Sequence, residues 1–305
     1  MRMAQLIRFH SEMVKTCWFA TLRDLGYATN VSIANQLPKD GLPAQSLILS
    51  LQLFDSNGAV LKEQISLGEL AAGHRKNIDL EEILVRLSIS SDVVGVIHQT
   101  PATIAPTEEI SIALEDIYRW IAISDDFIGY TNIATGLKSG LHYQSGPMND
   151  DRISSSKSII MQSPKIVISD RVDTQLLIFT PSSYNEAKKN IPFHLAILDA
   201  DGNQIAQTSM VLALRQRALI SIKEMLTESG KLDEFISKGG FGMLVGLALN
   251  GNIVPLSLAT DKTGGLAIDH TLPPPYYISK WNLEERKRTT NVLVKKFFPQ
   301  VVDSR

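Results

Sequence analysis

Three blocks of residues occur in the same order in both halves of this chain, and that recurrence limits its fold more than any other feature. The first pairs Leu51–Leu61, which contains Asp55-Ser56-Asn57-Gly58, with His194–Ile205, which contains Asp199-Ala200-Asp201-Gly202; the matched glycines stand 144 residues apart. The second pairs Ile78–Leu84 with Ile220–Leu226 at a spacing of 142. The third pairs Ala134-Thr135 and Ser139-Gly140-Leu141 with Ala259-Thr260 and Gly264-Gly265-Leu266 at a spacing of 125. A recurring order of this kind is the signature of an internal duplication. The shortened last spacing places about 17 extra residues in the first copy, assigned to residues 101–126. The boundary falls at Pro147–Arg152 and the serines that follow, so the expected domains are residues 1–150 and 151–305.

Within each copy the apolar period is two. Leu47, Leu49, Leu51 and Leu53 alternate with Ile48, Ser50, Gln52 and Phe54, and Phe193, Leu195 and Ile197 alternate with His194, Ala196 and Leu198. Both faces of these runs are fairly apolar, which suits central strands covered on both sides. Each run ends in Asp-x-x-Gly before another short strand, the mark of a β-hairpin. Val93–Ile97 and Met243–Ala248 add further strands. Short strands with frequent turns predict a mainly β chain of two tandem, mutually similar antiparallel β-sandwich domains.

Helix is expected in few places. Thr107 as N-cap, Glu108 and Glu109 in a first turn, and Ile110, Leu114, Ile117, Tyr118 and Ile121 at helical spacing predict a helical insert in the first domain. Ile110, Ile112 and Leu114 also fit a strand. Asp79–Leu84 and Ser221–Leu226 each suit a single helical turn, and residues 282–296 read equally as helix or strand.

Charge and cysteine content narrow the function classes. Thirty Lys and Arg against 32 Asp and Glu leave a net charge of −2, which removes the electrostatic case for nucleic-acid binding. No apolar run reaches the roughly 18–20 residues of a membrane-crossing helix. No secretory leader is visible at the N-terminus, and the compartment stays unassigned. Cys17 is the sole cysteine, so an intramolecular disulfide and a cysteine-built zinc site are both excluded, and it is expected to pack as a buried thiol.

No metal site and no cofactor are expected. The loops beginning at Asp55 and Asp199 resemble the start of a calcium loop, but their twelfth positions are Ser66 and Met210 rather than Glu. His10, His74, His98, His142, His194 and His270 show no metal-binding spacing. There is no G-x-S-x-G elbow and no phosphate loop, and the glycines at 239, 240 and 242 suit a turn.

The candidate site residues are therefore few. His142 and His270 follow the matched Gly-Leu blocks, and Asp269 precedes His270, so the two histidines are expected at equivalent edges of the copies. Tyr276, Tyr277 and Trp281 offer flat amphipathic faces for a sugar ring or a peptide, in a segment stiffened by Pro273–Pro275. The reading that follows is a non-enzymatic binding or structural protein, with carbohydrate or another protein as partner. The alternatives are a hydrolase or isomerase with a His/Asp site at the inter-domain cleft, and a homo-oligomer assembled through open sheet edges.

Overall fold

The computed structural model describes residues 6–10, 16–36, 46–102, 109–113, 126–143, 159–181, 190–249, 253–270, 292 and 294–302. The chain divides into two compact units, Met1–Asn149 and Asp150–Arg305. The fold is mainly β, and every strand pairing is antiparallel.

The first unit contains β1 (Leu6–His10), β2 (Thr16–Ala20), β3 (Tyr27–Asn35), β4 (Leu47–Phe54), β5 (Val60–Leu70), β6 (His74–Asp79), helix α1 (Leu80–Arg86), β7 (Val94–Pro101), β8 (Glu109–Ala113), β9 (Asp126–Asn132) and β10 (Lys138–Tyr143). One sheet runs β2-β7-β4-β5 and the other β10-β9-β3-β6. The second unit contains β11 (Ile159–Val167), β12 (Val172–Phe179), β13 (Asn190–Asp199), β14 (Gln204–Ala213), β15 (Arg217–Ser221), helices α2 (Ile222–Glu228) and α3 (Leu232–Ser237), β16 (Phe241–Ala248), β17 (Val254–Asp261), β18 (Leu266–His270) and the closing helical turn α4 (Pro299–Val302). Its sheets run β11-β16-β13-β14 and β18-β17-β12-β15. Apart from the β1-β8 pair, the two units have the same strand order in both sheets, and α1 and α2 follow the same strand in each.

Local chemistry explains the repetition. In both hairpins the leading aspartate holds its own turn: Asp55 Oδ1 accepts from the N–H of Asn57 and Ala59, and Asp199 Oδ1 accepts from Asp201 and Asn203. Gly58 and Gly202 take the positive φ that closes each turn. The matched helices are capped alike. Asp79 accepts from the N–H of Glu81 and Glu82, and Ser221 accepts from Glu224. These caps satisfy orphan donors that a strand-to-helix change would otherwise leave open.

The second unit shows the sandwich core most fully. Leu176 and Ile178 of one sheet meet Phe193, Leu195, Ile197 and Leu244 of the other, and Leu226 and Phe235 of the helices close the end. In the first unit Tyr130 of β9 reaches across to donate to the Ala20 carbonyl, and Asp126 accepts from Gln99 Nε2 at 2.8 Å and Ala34 N at 3.1 Å. Cys17 is fully buried in β2. Trp18 stacks on Phe54 with centroids 6.0 Å apart.

Two readings of the sequence need correction. Where the helical insert was expected, Glu109–Ala113 is strand β8, paired with Leu6–His10. A partner strand more than 90 residues away supplies ladder hydrogen bonds that outweigh local helix preference; residues 114–125 lie outside the description. The third matched block is out of register. Ala134-Thr135 lies in the turn after β9, whereas Ala259-Thr260 lies inside β17, and Gly264-Gly265 belongs to a turn held by Asp261. The structural counterpart of Asp261 is Asn132, whose Oδ1 accepts from Ala134 and Thr135. Residues 294–296, the end of the segment that read equally as helix or strand, are helical.

Candidate functional site

A groove of about 440 Å³ lies on the β10-β9-β3-β6 sheet of the first unit, lined by Asn30, Ser32, Arg75, Asn77, Ile78, Asp79 and Phe127. Strand register places these residues. Asn30 stands opposite Asp79 on one side and Gly129 on the other, and Ser32 stands between Asn77 and Phe127. Gly129 in turn faces Gly140. Two glycines side by side remove the side chains that would otherwise fill the sheet surface.

Their neighbours use that space. A Cβ on Gly129 would stand 2.6 Å from Asn30 Oδ1, so the Asn30 carboxamide lies over that glycine. A Cβ on Gly140 would collide with the Phe127 ring and stand 2.7 Å from the Ile128 carbonyl. The Phe127 ring is thereby laid along the sheet, and it remains 40% exposed. Arg75 is held in place by donating from Nη1 to Ser32 Oγ at 3.0 Å. Asp79 commits Oδ1 to the cap of α1. The surface therefore offers two carboxamides, a hydroxyl, a guanidinium and a carboxylate around an exposed phenyl ring. Such a set donates and accepts hydrogen bonds at once, and it gives a flat apolar face for stacking.

The described residues of the second unit differ at the matching positions. Matching pair by pair, it carries Gln175 for Asn30, Leu177 for Ser32, Leu219 for Asn77, Leu256 for Phe127, Leu258 for Gly129 and Ile268 for Gly140. Arg217 matches Arg75, and Ser221 matches Asp79. Branched side chains thus stand where the first unit has its two glycines, and leucines stand at the positions of Ser32, Asn77 and Phe127, while Gln175, Arg217 and Ser221 keep the other three polar.

The residues singled out from sequence fall as follows. His142 pairs with Phe127 at the rim of the groove sheet, on the edge strand β10. His270 pairs with Leu256 on the edge strand β18, at the register position that matches His142. Asp269 is exposed and pairs with Ser257. Tyr276, Tyr277 and Trp281 lie outside the described residues. His194 is half-buried, with Nδ1 2.7 Å from Ser209 Oγ, and burial lowers its pKa. Among the described residues, no group of three or more His, Cys, Asp or Glu could hold a metal ion, and no helix is long and apolar enough to cross a membrane.

The groove residues were missed from sequence because three separate strands supply them and a fourth supplies Gly140 beneath the Phe127 ring. Two glycines inside strand-like runs were the available signal, since a strand glycine marks close approach of another group.

No family model matches the chain, and no curated protein matches it. Solved structures similar to it include a glycosyl hydrolase family 2 member from Bacteroides cellulosilyticus at 7% identity and TM-score 0.19, covering 84% of this chain and 27% of that one. A β-glucuronidase of glycoside hydrolase family 2 follows at 12% identity and TM-score 0.17, covering 84% and 23%. A second B. cellulosilyticus structure gives 8% and 0.17, covering 84% and 26%. This chain spans about a quarter of the length of those chains, and overlaps this slight carry no argument about its function.

Proposed function

We propose that this chain is a non-enzymatic binding protein built from two β-sandwich modules that arose by duplication, and that the first module holds a carbohydrate in its groove. The observation that carries this reading is the Phe127 ring laid over Gly140 beside Asn30, Asn77, Arg75 and Asp79. A sugar presents hydroxyl groups that need donors and acceptors together, and its C–H face stacks on an aromatic ring. Specific small-ligand sites place a few polar groups around apolar surface in this way. A peptide partner would instead call for deep apolar anchor pockets. One cation beside one carboxylate also makes a poor seat for a polyanion.

Divergence between the modules supports the same reading. One copy has two glycines and the Phe127 ring, and the other has leucine or isoleucine at those three positions and leucine for Ser32 and Asn77. His142 at the rim, and Tyr276, Tyr277 and Trp281 in the C-terminal segment, are further candidates for ligand contact.

A glycan array followed by calorimetric titration tests the proposal. The full chain should bind at least one glycan, and Phe127→Ala and Asn77→Ala should each weaken that binding tenfold or more. An empty array, or variants that bind like the parent, would overturn it.

A further inference from the structure

The polar and the aromatic parts of the groove stand on different strands. Asn77 and Asp79 lie on β6, at one edge of the β10-β9-β3-β6 sheet. Phe127 lies on β9, and its ring turns away from β6 to rest over Gly140 of β10, at the other edge. Register sets these groups in two adjacent rows across the sheet. One row is Asp79, Asn30, Gly129 and Gly140, and the next is Asn77, Ser32, Phe127 and His142. Three strand spacings separate β6 from β10, a distance of about 14 Å.

That distance sets the size of a molecule able to touch both ends. A sugar stacked on the Phe127 ring has the Asn30 carboxamide beside it, because that group lies over Gly129. The same sugar stops short of Asn77 and Asp79, since the ring starts two strands from β6 and points the other way. A single pyranose ring is narrower than this gap. A second sugar, linked to the first, bridges it and meets Asn77 and Asp79. Asn30, Asn77 and Asp79 are all exposed along one continuous groove, so their donors and acceptors face an arriving glycan.

We infer that the groove has two subsites and takes a linear oligosaccharide of at least two linked sugars, one stacked on Phe127 beside Asn30 and the next hydrogen-bonded to Asn77 and Asp79. This inference rests on the carbohydrate reading of the groove. Linkage turns the second contact into an intramolecular one, so affinity rises with chain length until both subsites are filled. Phe127 acts on every length, whereas Asn77 acts only on a chain long enough to reach β6.

Titration calorimetry with matched ladders tests it, using the monosaccharide, disaccharide and tetrasaccharide of each linear series on the glycan array. The disaccharide should bind at least tenfold more tightly than its monosaccharide. Asn77→Ala should remove most of that gain and leave the monosaccharide within twofold of the parent. Phe127→Ala should weaken both sugars by the same factor. Thermal melts matching the parent's show that the variants are folded. Equal affinity for monosaccharide, disaccharide and tetrasaccharide would overturn the two subsites and leave the carbohydrate reading standing. An Asn77→Ala variant that loses the same factor on both sugars would do likewise. Failure of every sugar at every length would overturn the carbohydrate reading itself, and this inference with it.

Discussion

Giving the first module the second module's residue at one position separates binding from folding. Gly129 faces Asn30 across β3 and β9, and the matching position of the second module is Leu258. Gly129→Leu should therefore fill the groove with a side chain that the same framework already tolerates. A Cβ there would meet the far end of the Asn30 side chain, at 2.6 Å from Oδ1, and no backbone atom comes closer. A carboxamide can rotate away at small cost. Replacing a strand glycine also recovers about 0.5–1 kcal/mol of conformational entropy. The net change in stability should lie within about 1 kcal/mol, a melting shift of about 2–4 °C for a module this size.

Binding should suffer far more. Displacing Asn30 removes one or two hydrogen bonds of about 0.5–1.5 kcal/mol each. A leucine beside Phe127 also blocks approach to the ring, whose contact adds a similar amount. Together these give about 2–4 kcal/mol, or roughly a 30- to 1,000-fold loss of affinity. Calorimetric titration of the array-identified glycan, beside a thermal melt, reads both quantities. An unchanged affinity would refute the groove as the site. A variant that fails to fold would refute the claim that the two modules share one framework at this position.

Other predictions follow from single contacts. Asp79→Ala and Ser221→Ala remove matched caps and should each cost about 1 kcal/mol, readable by urea denaturation. Phe298→Ala deletes a ring that is 1% exposed and packs with Val294, Val301 and the β11-β16-β13-β14 sheet, and it should cost about 3–5 kcal/mol if residues 294–301 stay packed and less if they fray, which hydrogen exchange of residues 294–302 distinguishes. Hydrogen bonds and charge from Lys231 and Lys238 draw the Glu234 carboxyl down to about 2. Its folded pKa is depressed, so its contribution is present above the unfolded value of about 4.5 and is lost as pH falls toward 2; melts over this window should be steeper for the parent than for Glu234→Gln. Burial lowers the His194 pKa, so the neutral ring is favoured in the folded chain and stability should fall as pH drops below about 6.5, an effect His194→Gln should remove.

Local chemistry made part of this protein legible in its residues alone. Asp55, Gly58, Asp199 and Gly202 specify their turns through contacts made within four residues, and Asp79 and Ser221 specify helix starts in the same way. Alternation along Leu47–Leu53 and Phe193–Ile197 marked strands for a similar reason, since the side-chain period is a property of the strand itself. These short-range features were enough to read a mainly β chain of sandwich modules. Tertiary structure decided the rest. Glu109–Ala113 became strand because Leu6–His10 pairs with it, and no local pattern encodes a partner that far away. The groove exists because β3, β6, β9 and β10 bring Asn30, Asn77, Phe127 and Gly140 together, and strand order and register determine which residues meet. Which layer covers each apolar face of the β11-β16-β13-β14 sheet was likewise settled by tertiary packing, with the opposite sheet and two helices on one side and residues 294–301 on the other.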